Sequence, residues 1–476
     1  MMVLFLIIMN AYQLKAQTYL GVTTSNYDAL HAARFNPASL NTSSMKWQIN
    51  LVGVDLSISQ NYLKAKSLIS GWDDYRSNLT ENLNGEEKSG YASAIIALPG
   101  FMFTNEKAGS FSLNFTARTY LTLKDVDEDF LSAFYNDADV PSSWPSPWKD
   151  DNVEAGMNGM VEASLGYARK VYERERHHLY GGFTLKVLTK QIGANANGTA
   201  EFIYTEGVDD QVSFGASDLT VQVSDLFDGV NGDFNYKTGF GGIGADIGFV
   251  YEFKPQRPGQ ALVGDNMAKS KKWKRERPDY ILKAGFAIVD IGNVKYTPSS
   301  EYSRHFISDG TNVSAASITE DDLTYEDWDD VMNATGSFTV PTEDIKVKLP
   351  MSINMFVDAK ITDFFYVNLS SQIGVGKSNI SSGTVSEGSG FAITPRLETP
   401  AVAIYVPVSY TSAKGFGVGA VARFGQVTLG MSDITGFFTG DASSTSVHFG
   451  LSFGGVKKKT EKKNDIEEEE EDERYL

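Results

Sequence analysis

Three glycines in this sequence have the spacing of a nucleotide-binding loop. Gly239, Gly241 and Gly244 form G-x-G-x-x-G, a pattern that holds a dinucleotide pyrophosphate when it lies between a strand and a helix. The residues that follow, from Ile247 to Phe253, keep the two-residue apolar period of a strand, so the required helix is missing. We therefore interpret these glycines as residues that ease the twist of one long strand.

Two groups of carboxylates have the composition of a cation site. Asp125, Asp127 and Asp129 begin like a calcium-binding loop, but a phenylalanine occupies the position at which the sharp turn needs glycine. This excludes an EF-hand and leaves only an adventitious surface cation. The acidic segment 320–330 is predicted to be a solvated outer loop with a short amphipathic helix, in preference to a calcium-bridging or lipopolysaccharide-bridging role.

The histidines and hydroxyl residues do not form a recognisable hydrolytic motif. The sequence has neither an H-E-x-x-H nor a G-x-S-x-G pattern, and it contains no cysteine. Zinc–thiolate sites, disulfides and cysteine nucleophiles are thereby excluded. We expect no enzyme activity, no metal site and no cofactor. The five histidines are His31, His177, His178, His305 and His448.

The body of the chain shows the period of long β-strands. Apolar residues alternate with polar ones over 111–124 and again over 345–360, where Ile345 to Ala359 oppose Lys346 to Lys360. The second run is about three times as long as an ordinary strand. Further copies are predicted at 46–62, 90–104, 157–172, 179–187, 239–253, 280–288, 365–373, 393–410, 415–424, 427–435 and 446–453.

Strands of this length and polarity favour a membrane barrel over a soluble sandwich. An amphipathic strand hides its apolar face against a second sheet or against lipid, and a barrel tolerates charges in its lumen. We predict an all-β fold, an antiparallel transmembrane β-barrel of about 14 strands. Aromatic residues near the strand ends are expected to form its interfacial girdles: Trp47, Tyr62, Tyr91, Tyr251, Phe253, Tyr280, Tyr296, Phe364, Tyr405 and Tyr410.

The connections between the predicted strands fall into two lengths. Short turns on one side and long loops on the other are typical of outer-membrane barrels, with the turns and both chain termini in the periplasm. The basic segment 254–278 is the exception, because the alternation places this long loop on the periplasmic side. The short turns are predicted at 105–109, 173–177, 361–364 and 411–415, and the long loops at 64–89, 126–155, 193–238, 297–344 and 375–392.

The two ends of the chain differ from its body. Residues 1–16 are interpreted as a secretory signal peptide, although the usual basic start is missing. The alternatives are a true start upstream of Met1, or a buried strand or helix over these residues. The Lys-rich and then acidic tail 456–476 is predicted to be solvated and disordered. Residues 17–44 would form an N-terminal helix and plug segment, and 45–455 the barrel. The net charge of −18 argues against nucleic acid as a partner.

The N-terminal segment TYLGVTTSNYDALHAARFNPASL contains Phe35, Asn36 and Pro37 at the start of an N-P-A-S turn. This segment resembles the N-terminal entry of FadL/PorV-type outer-membrane proteins, in which a helix and an Asn-Pro-Ala turn precede the first barrel strand. The segments IKVKLPMSINMFVDAKIT, YILKAGFAIVDIGNVKY and FGVGAVARFGQVTLGMSDI are similar to those of Bacteroidetes envelope barrels, particularly a family of uncharacterised function. The resemblance covers most of residues 17–455.

The resemblance implies a monomeric barrel in the outer membrane and leaves two functions open. FadL relatives imply passive passage of hydrophobic small molecules, and PorV relatives imply a non-enzymatic scaffold or subunit of a secretion or assembly complex. For passage, the polar strand faces would line the lumen and Phe35, Asn36 and Pro37 would shape a plug. For a scaffold, Trp273, Lys274 and Arg275 and the tail would dock envelope protein partners. The predicted lumen-lining residues are Arg118, Lys186, Lys283, Lys346 and Lys348.

Overall fold

A computed structural model describes most of the chain. The described residues are 22–65, 79–105, 107–129, 131, 147–206, 210–224, 227–228, 235–236, 239–255, 278–314, 325–375, 389–411, 415–435 and 444–457. The predicted signal peptide, the docking residues Trp273, Lys274 and Arg275, and the tail beyond Lys457 lie outside these ranges.

One antiparallel sheet closes on itself and confirms the predicted fold class. In the described ranges it runs as a barrel of 14 strands, in which each strand pairs with the next and β1 pairs with β14, from Met45 opposite Val456 to Ser59 opposite Ser444. The strands are β1 Met45–Gln60, β2 Lys88–Ala97 and Gly100–Asn105, β3 Gly109–Val126, β4 Trp148–Arg174, β5 His177–Thr205, β6 Gly239–Phe253, β7 Leu282–Tyr296, β8 Ile345–Lys348 and Ser352–Lys360, β9 Phe365–Gly374, β10 Gly390–Glu398, β11 Val402–Tyr405 and Val408–Thr411, β12 Gly415–Val418 and Ala420–Phe424, β13 Val427–Met431 and β14 Ser444–Val456.

The barrel wall is polar inside and apolar outside, the reverse of a soluble core. On β3 the outward residues Phe111, Phe115 and Leu121 are 46%, 39% and 47% exposed, whereas the inward Thr116 and Arg118 are buried. Phe111 and Leu121 are ten residues apart, which corresponds to an apolar belt about 25 Å tall for a strand tilted by about 40°. This height matches the hydrocarbon layer that barrels of outer-membrane type span.

Aromatic rings flank the belt at both ends, but several predicted girdle residues lie elsewhere. Outward-facing Tyr410 contacts the ring of Phe416 at a centroid distance of 5.0 Å near one end of the belt, and Phe111 contacts Tyr167 at 5.0 Å near the other. The assignment of four other residues to the girdles was wrong, because they are buried in the lumen: Tyr91, Tyr280, Tyr296 and Tyr405.

The two ends of the barrel carry different connections. One end of the barrel, here called the turn end, holds the start of β1, the end of β14, and the boundary between Asn105 of β2 and Gly109 of β3. The short turns 175–176, 361–364, 399–401 and 425–426 lie at the same end. Segment 254–281 also joins two strands at the turn end, as the alternation predicted. The turn at 411–415 was assigned to the wrong end, because Thr411 pairs with Gly390 at the opposite, loop end.

A proline breaks β8 and changes which residues face the lumen. Before the break Ile345, Val347 and Leu349 are buried, and after Pro350 the buried residues are Ser352, Asn354, Phe356 and Asp358. The prediction of one continuous apolar face over 345–360 was therefore wrong. Lys346 and Lys348 point away from the lumen and are exposed, so they do not line it as predicted. Proline cannot donate the ladder hydrogen bond, and the irregularity it causes re-aims the residues that follow.

Smaller elements extend the loop end and fill the lumen. The strand Asp218–Val223 pairs with residues Ala194–Thr199 of β5 and with Arg304–Ser308. Arg304–Ser308 pairs in turn with Gly336–Thr339. Three helices are described, α1 Ala29–Phe35, α2 Ser39–Thr42 and α3 Tyr325–Thr335, and α3 confirms the helix predicted in the acidic loop. None of the helices in the described ranges has the length and hydropathy needed to cross a membrane. The remaining short strands are Leu63–Ala65, Leu79–Glu81, Gln211–Ser213, Phe227–Asp228, Asn235–Tyr236 and Val313–Ser314.

A charge placed in the middle of the belt tests the membrane assignment. Val187, which is 50% exposed, shares an outward row with Phe115 near the middle of the belt. We expect Val187→Arg to lower the free energy of unfolding in lipid vesicles by about 2–4 kcal/mol. Ile361→Arg is the matched control, because Ile361 is 57% exposed but lies in a turn, where the cost falls to about 0–1 kcal/mol. Equal costs at the two sites would contradict the assignment.

Candidate functional site: a plugged and layered lumen

The N-terminal segment from Val22 to Ser44, here called the plug, lies inside the barrel. Its described residues are buried except for the half-buried Arg34, Asn41, Thr42 and Ser44. Asp28 caps α1, and its carboxylate also accepts a hydrogen bond from the Gln48 side chain of β1 at 2.8 Å. The Gln48 side-chain oxygen in turn accepts the backbone N–H groups of Ala29 and Leu30 at 2.8 and 3.3 Å. The wall thus satisfies the donors that the first turn of a helix leaves unpaired.

A buried ionic network at the turn end holds the start of the plug. The Arg396 guanidinium lies 2.7 Å from an Asp358 carboxylate oxygen and 3.2 Å from Glu398, and it donates to the Thr24 hydroxyl at 3.0 Å. Glu398 accepts hydrogen bonds from the Asn26 backbone and side chain at 3.1 and 3.0 Å. Because a buried charge is tolerated when it is paired and hydrogen-bonded, this network of wall residues is stable and holds the start of the plug by hydrogen bonds.

Lys283, one of the predicted lumen residues, takes part in the same contact region. Its ammonium donates to the Asn26 side-chain oxygen at 2.8 Å and lies 4.7 Å from the centre of the Tyr280 ring. Tyr280 also donates a hydrogen bond to Asp358. The structure therefore places Lys283 in the lumen, but as a contact to the plug.

The N-P-A-S turn packs against a row of small residues on the wall. Ala168, Gly182, Gly248 and Ala287 are direct neighbours on β4 to β7. A Cβ added at Gly182 would lie 2.4 Å from the backbone nitrogen of Ala38, and one at Gly248 only 2.3 Å from the side-chain oxygen of Asn36. The turn thus approaches the wall as closely as only glycine permits. We call these four residues the small-residue row.

The three residues predicted to shape the plug all contact the wall. The Asn354 side chain donates to the Phe35 carbonyl at 2.9 Å, and the Asn36 side chain donates to the carbonyls of Phe249 and Phe286 at 3.0 and 3.2 Å. Pro37 lies next to Gly182, with its carbonyl carbon 2.6 Å from the position of an added Cβ. These contacts explain why a short polar turn forms a specific joint with a β-sheet.

Five ionisable side chains form a layer across the lumen, here called the charged layer. Arg118 lies 3.0 Å from Glu162 and 2.9 Å from Asp290, and Lys186 lies 2.7 Å from Asp246 and 2.5 Å from Asp290. All five are buried. The predicted lumen residues Arg118 and Lys186 are thus brought together by a shared carboxylate.

Asp290 is the centre of the charged layer and has an unusual backbone. Its φ is +58°, a conformation that residues with a side chain adopt rarely, although Asp is among the more tolerant. It lies at a bulge where the register between β6 and β7 shifts, and its backbone N–H donates to the Asp246 carboxylate at 2.7 Å. Bulges re-aim side chains, and this one directs Asp290 between Arg118 and Lys186.

A polar cavity separates the charged layer from the plug. Its volume is about 50 Å³, and its lining includes His31 and Arg34 of the plug and Arg118 and Asp290 of the wall. At roughly 10–15 Å³ for one water position, a cavity of this size holds only a few water molecules. The cavity between the plug and the charged layer therefore has no room for a larger solute.

The lumen becomes apolar on the loop side of the charged layer. Tyr120 lies two residues beyond Arg118 toward the loop end, and Leu188 lies two residues beyond Lys186. Together with seven further buried residues they form a packed cluster inside the barrel, here called the apolar layer. Its residues are Tyr91, Tyr120, Met160, Leu188, Val294, Tyr296, Ile345, Val347 and Leu349.

The histidines and acids of the lumen that the structure describes are paired and show no arrangement for metal binding. In the described ranges no group of three or more His, Asp or Glu residues is arranged to hold a metal ion. His31 is hydrogen-bonded to Asp28 at 2.7 Å, and His448 is hydrogen-bonded to Asp55. The lumen thus contains a packed apolar layer toward the loop end, with the charged layer and the plug on its turn side.

Several residues of this site have no motif in the sequence. The acids Glu162, Asp246 and Asp290 and the paired Arg396 and Glu398 are single charges at alternate positions of apolar strands. That alternation could have identified them as lumen-facing, because a charged residue in a barrel strand is tolerated in the lumen and costly on the lipid face. Their partners could not have been identified, since Arg118 and Asp290 are 172 residues apart.

Adding a single methyl group to the wall tests whether the small-residue row holds the plug in place. Because the added Cβ of Gly182→Ala would clash with the backbone of Ala38, we expect the N-P-A-S turn to move away from the wall. The reporter is Ser39→Cys, which supplies the single thiol in a chain without cysteine. We expect maleimide labelling of this thiol to speed up about tenfold, the factor that corresponds to about 1.4 kcal/mol.

Gly181→Ala is the matched control for this experiment. A Cβ at Gly181 would meet only the side chains of Val171 and Phe249 at ordinary distances of 3.5 and 3.6 Å. Its labelling rate should therefore equal that of the parent protein. The same rate in the Gly182 and Gly181 variants would show that the small-residue row does not seat the plug.

The chain matches a known family, in agreement with the predicted resemblance to proteins of uncharacterised function. A model of a family of unknown function, DUF5723, matches residues 37–432. No curated protein matches the chain. The resemblance to PorV-type proteins and the Bacteroidetes origin stay predictions.

The chain is similar to solved structures of a FadL homologue, a hydrocarbon channel and a toluene transporter, at low sequence identity. A Pseudomonas aeruginosa FadL homologue is 12% identical with a TM-score of 0.40, over 91% of this chain and 95% of that chain. A TodX deltaS2S3 mutant, a monoaromatic hydrocarbon channel, is 9% identical with a TM-score of 0.38, over 93% and 96%. The Ralstonia pickettii toluene transporter TbuX is 10% identical with a TM-score of 0.37, over 89% and 92%.

Proposed function

We propose that this chain, which belongs to the DUF5723 family of unknown function, lets hydrophobic small molecules pass across the outer membrane through its barrel. The observation that carries the proposal is the apolar layer, nine buried apolar and aromatic side chains that point into the lumen at the loop end. A barrel that passes only water and ions needs no such layer, because its interior is polar. Binding sites for apolar ligands are lined in this way.

Passage through this lumen requires the plug to move. The cavity of about 50 Å³ beneath the apolar layer is far below the roughly 300 Å³ at which ligand pockets begin. The plug contacts the wall through hydrogen bonds, which water in an opened lumen would replace, and through apolar packing of Leu30, Leu40 and Phe35. A hydrogen bond contributes about 0.5–1.5 kcal/mol net between neutral groups and about 1.5–3 kcal/mol when one group is charged. The plug can shift without unfolding the barrel because its contacts lie outside the hydrogen-bond ladder that closes the sheet. A hydrophobic molecule would enter the apolar layer first and reach the turn end when the plug shifts.

A charge in the apolar layer tests this function. Val347 is buried in the layer, and the next residue toward the loop end, Lys346, is exposed on the other face of the same strand. Val347→Asp would place an ionised group where a hydrophobic solute has to bind, at a cost of several kcal/mol. In vesicles that contain the folded full-length protein, we expect uptake of the hydrophobic dye N-phenyl-1-naphthylamine to fall by at least about tenfold.

Lys346→Asp is the matched control, since it introduces the same side chain one residue away on the outer face. It should pass the dye as fast as the parent protein. Both variants are checked for the shift between boiled and unboiled samples in SDS gels that marks a folded barrel. Undiminished uptake by the Val347 variant would overturn the proposal. A parent protein that passes no dye would also overturn it and would favour the scaffold function, with Trp273, Lys274 and Arg275 as the predicted docking residues.

A further inference from the structure

An apolar groove lies on the outer face of the barrel wall, across β3, β4 and β5. Its volume is about 340 Å³, and no ionisable side chain lines it. Its floor consists of small side chains and its flanks of larger ones. The floor residues are Ala155, Ala194 and Ala196, and the flanks are Leu121, Met157 and Val221.

The register of the strands shows that the groove faces away from the lumen. Leu121 pairs with Met157, which pairs with Ala194. Ala155 likewise pairs with Ala196 in the next row toward the loop end. Directly paired residues share a face of the sheet, and Leu121 is an outward residue that is 47% exposed. The groove therefore opens toward the membrane.

The groove lies along the last rows of the apolar belt on the loop side. Leu121 and Leu123 are both large outward residues of β3, and Leu123 shares a row with Ala155 and Ala196, one step of about 7 Å beyond Leu121. The groove is thus continuous with the lipid-facing surface, at the level of the leaflet on the loop side.

We propose that this groove binds one acyl chain of a lipid from the leaflet on the loop side. The continuity with the belt selects this occupant, because lipid chains are the apolar groups that surround the barrel at this height. The volume lies at the lower end of the range for small-ligand pockets, about 300–1,000 Å³. Small floor residues flanked by Leu and Met form a recess into which a flexible chain packs more closely than against the flat wall.

Two other occupants fit the observations less well. A stable protein partner buries roughly 1,000 Å² or more, whereas the groove spans only parts of three strands and one loop strand. A molecule in transit from the lumen would have to cross the wall, but β3, β4 and β5 are paired continuously at this level, from Tyr120 opposite Asn158 to Lys124 opposite Glu154. The inference therefore rests on the membrane position of the barrel and is independent of the proposed passage function.

Photo-crosslinking tests the proposal on the full chain in vesicles. The probe is a phosphatidylethanolamine that carries a diazirine in the middle of one palmitoyl chain. We expect crosslinks on the peptides of β4 and β5 that contain the groove, in excess over the rest of the belt. Ala194→Trp fills the groove, so crosslinking there should fall by about tenfold. Native mass spectrometry after delipidation should show one retained lipid per barrel in the parent protein and none in this variant.

Ala163→Trp is the matched control, because Ala163 is also a small outward residue of β4 but shares its row with Phe115, within the belt and outside the groove. It should retain the lipid and the crosslinks of the parent protein. Equal retention in the parent and the Ala194 variant would overturn the proposal. Crosslinks spread evenly around the belt, or a groove occupied by a second copy of the chain or by the dye used for uptake, would overturn it as well.

Discussion

The ladder of hydrogen bonds between β1 and β14 is the constraint on which the rest of the structure depends. It joins the first and last strands of the sheet, from Met45 opposite Val456 to Ser59 opposite Ser444. In hydrocarbon an unpaired backbone group costs several kcal/mol, so a sheet is stable there only when it has no edge. Closure also decides the polarity of every strand, because alternate residues must face lipid or the lumen. The exposed Phe, Leu, Ile and Val residues and the buried charges are both consequences of this one ladder.

Closure creates a lumen whose polar groups need partners, and the plug supplies many of them. The plug is held at the turn end by Arg396 and Glu398 and at its middle by the small-residue row, where glycine removes the side chains that would keep the N-P-A-S turn away. Above the plug, the charged layer pairs its members with one another, with Asp290 shared between Arg118 and Lys186. The apolar layer lies on the loop side of the charged layer, and none of its nine residues belongs to the plug. The two ends of the lumen therefore differ in polarity, with the apolar layer toward the loop end and the ionic network at the turn end.

The sequence predicts the barrel well and its interior poorly, for physical reasons. A two-residue period extended over long strands is a local signal, and it predicted the fold class and the inward placement of Arg118, Lys186 and Lys283. The same period failed for Lys346 and Lys348, because the break at Pro350 exchanges the two faces of β8, and a shift of one residue suffices for that. The partners in the lumen depend on closure of the whole barrel, so their pairing is not a local property of any segment.

We propose that the plug closes the lumen and that a solute passes only when the plug moves. Asn41 of the plug donates a hydrogen bond to Ser110 of β3 at 2.9 Å, and the chain has no cysteine that would compete with an engineered pair. The most direct measurement is dye uptake into vesicles by the double variant Asn41→Cys and Ser110→Cys, before and after reduction of the disulfide. The account predicts that the oxidised protein passes no dye and that reduction restores passage. Equal uptake in the oxidised and reduced states would contradict it.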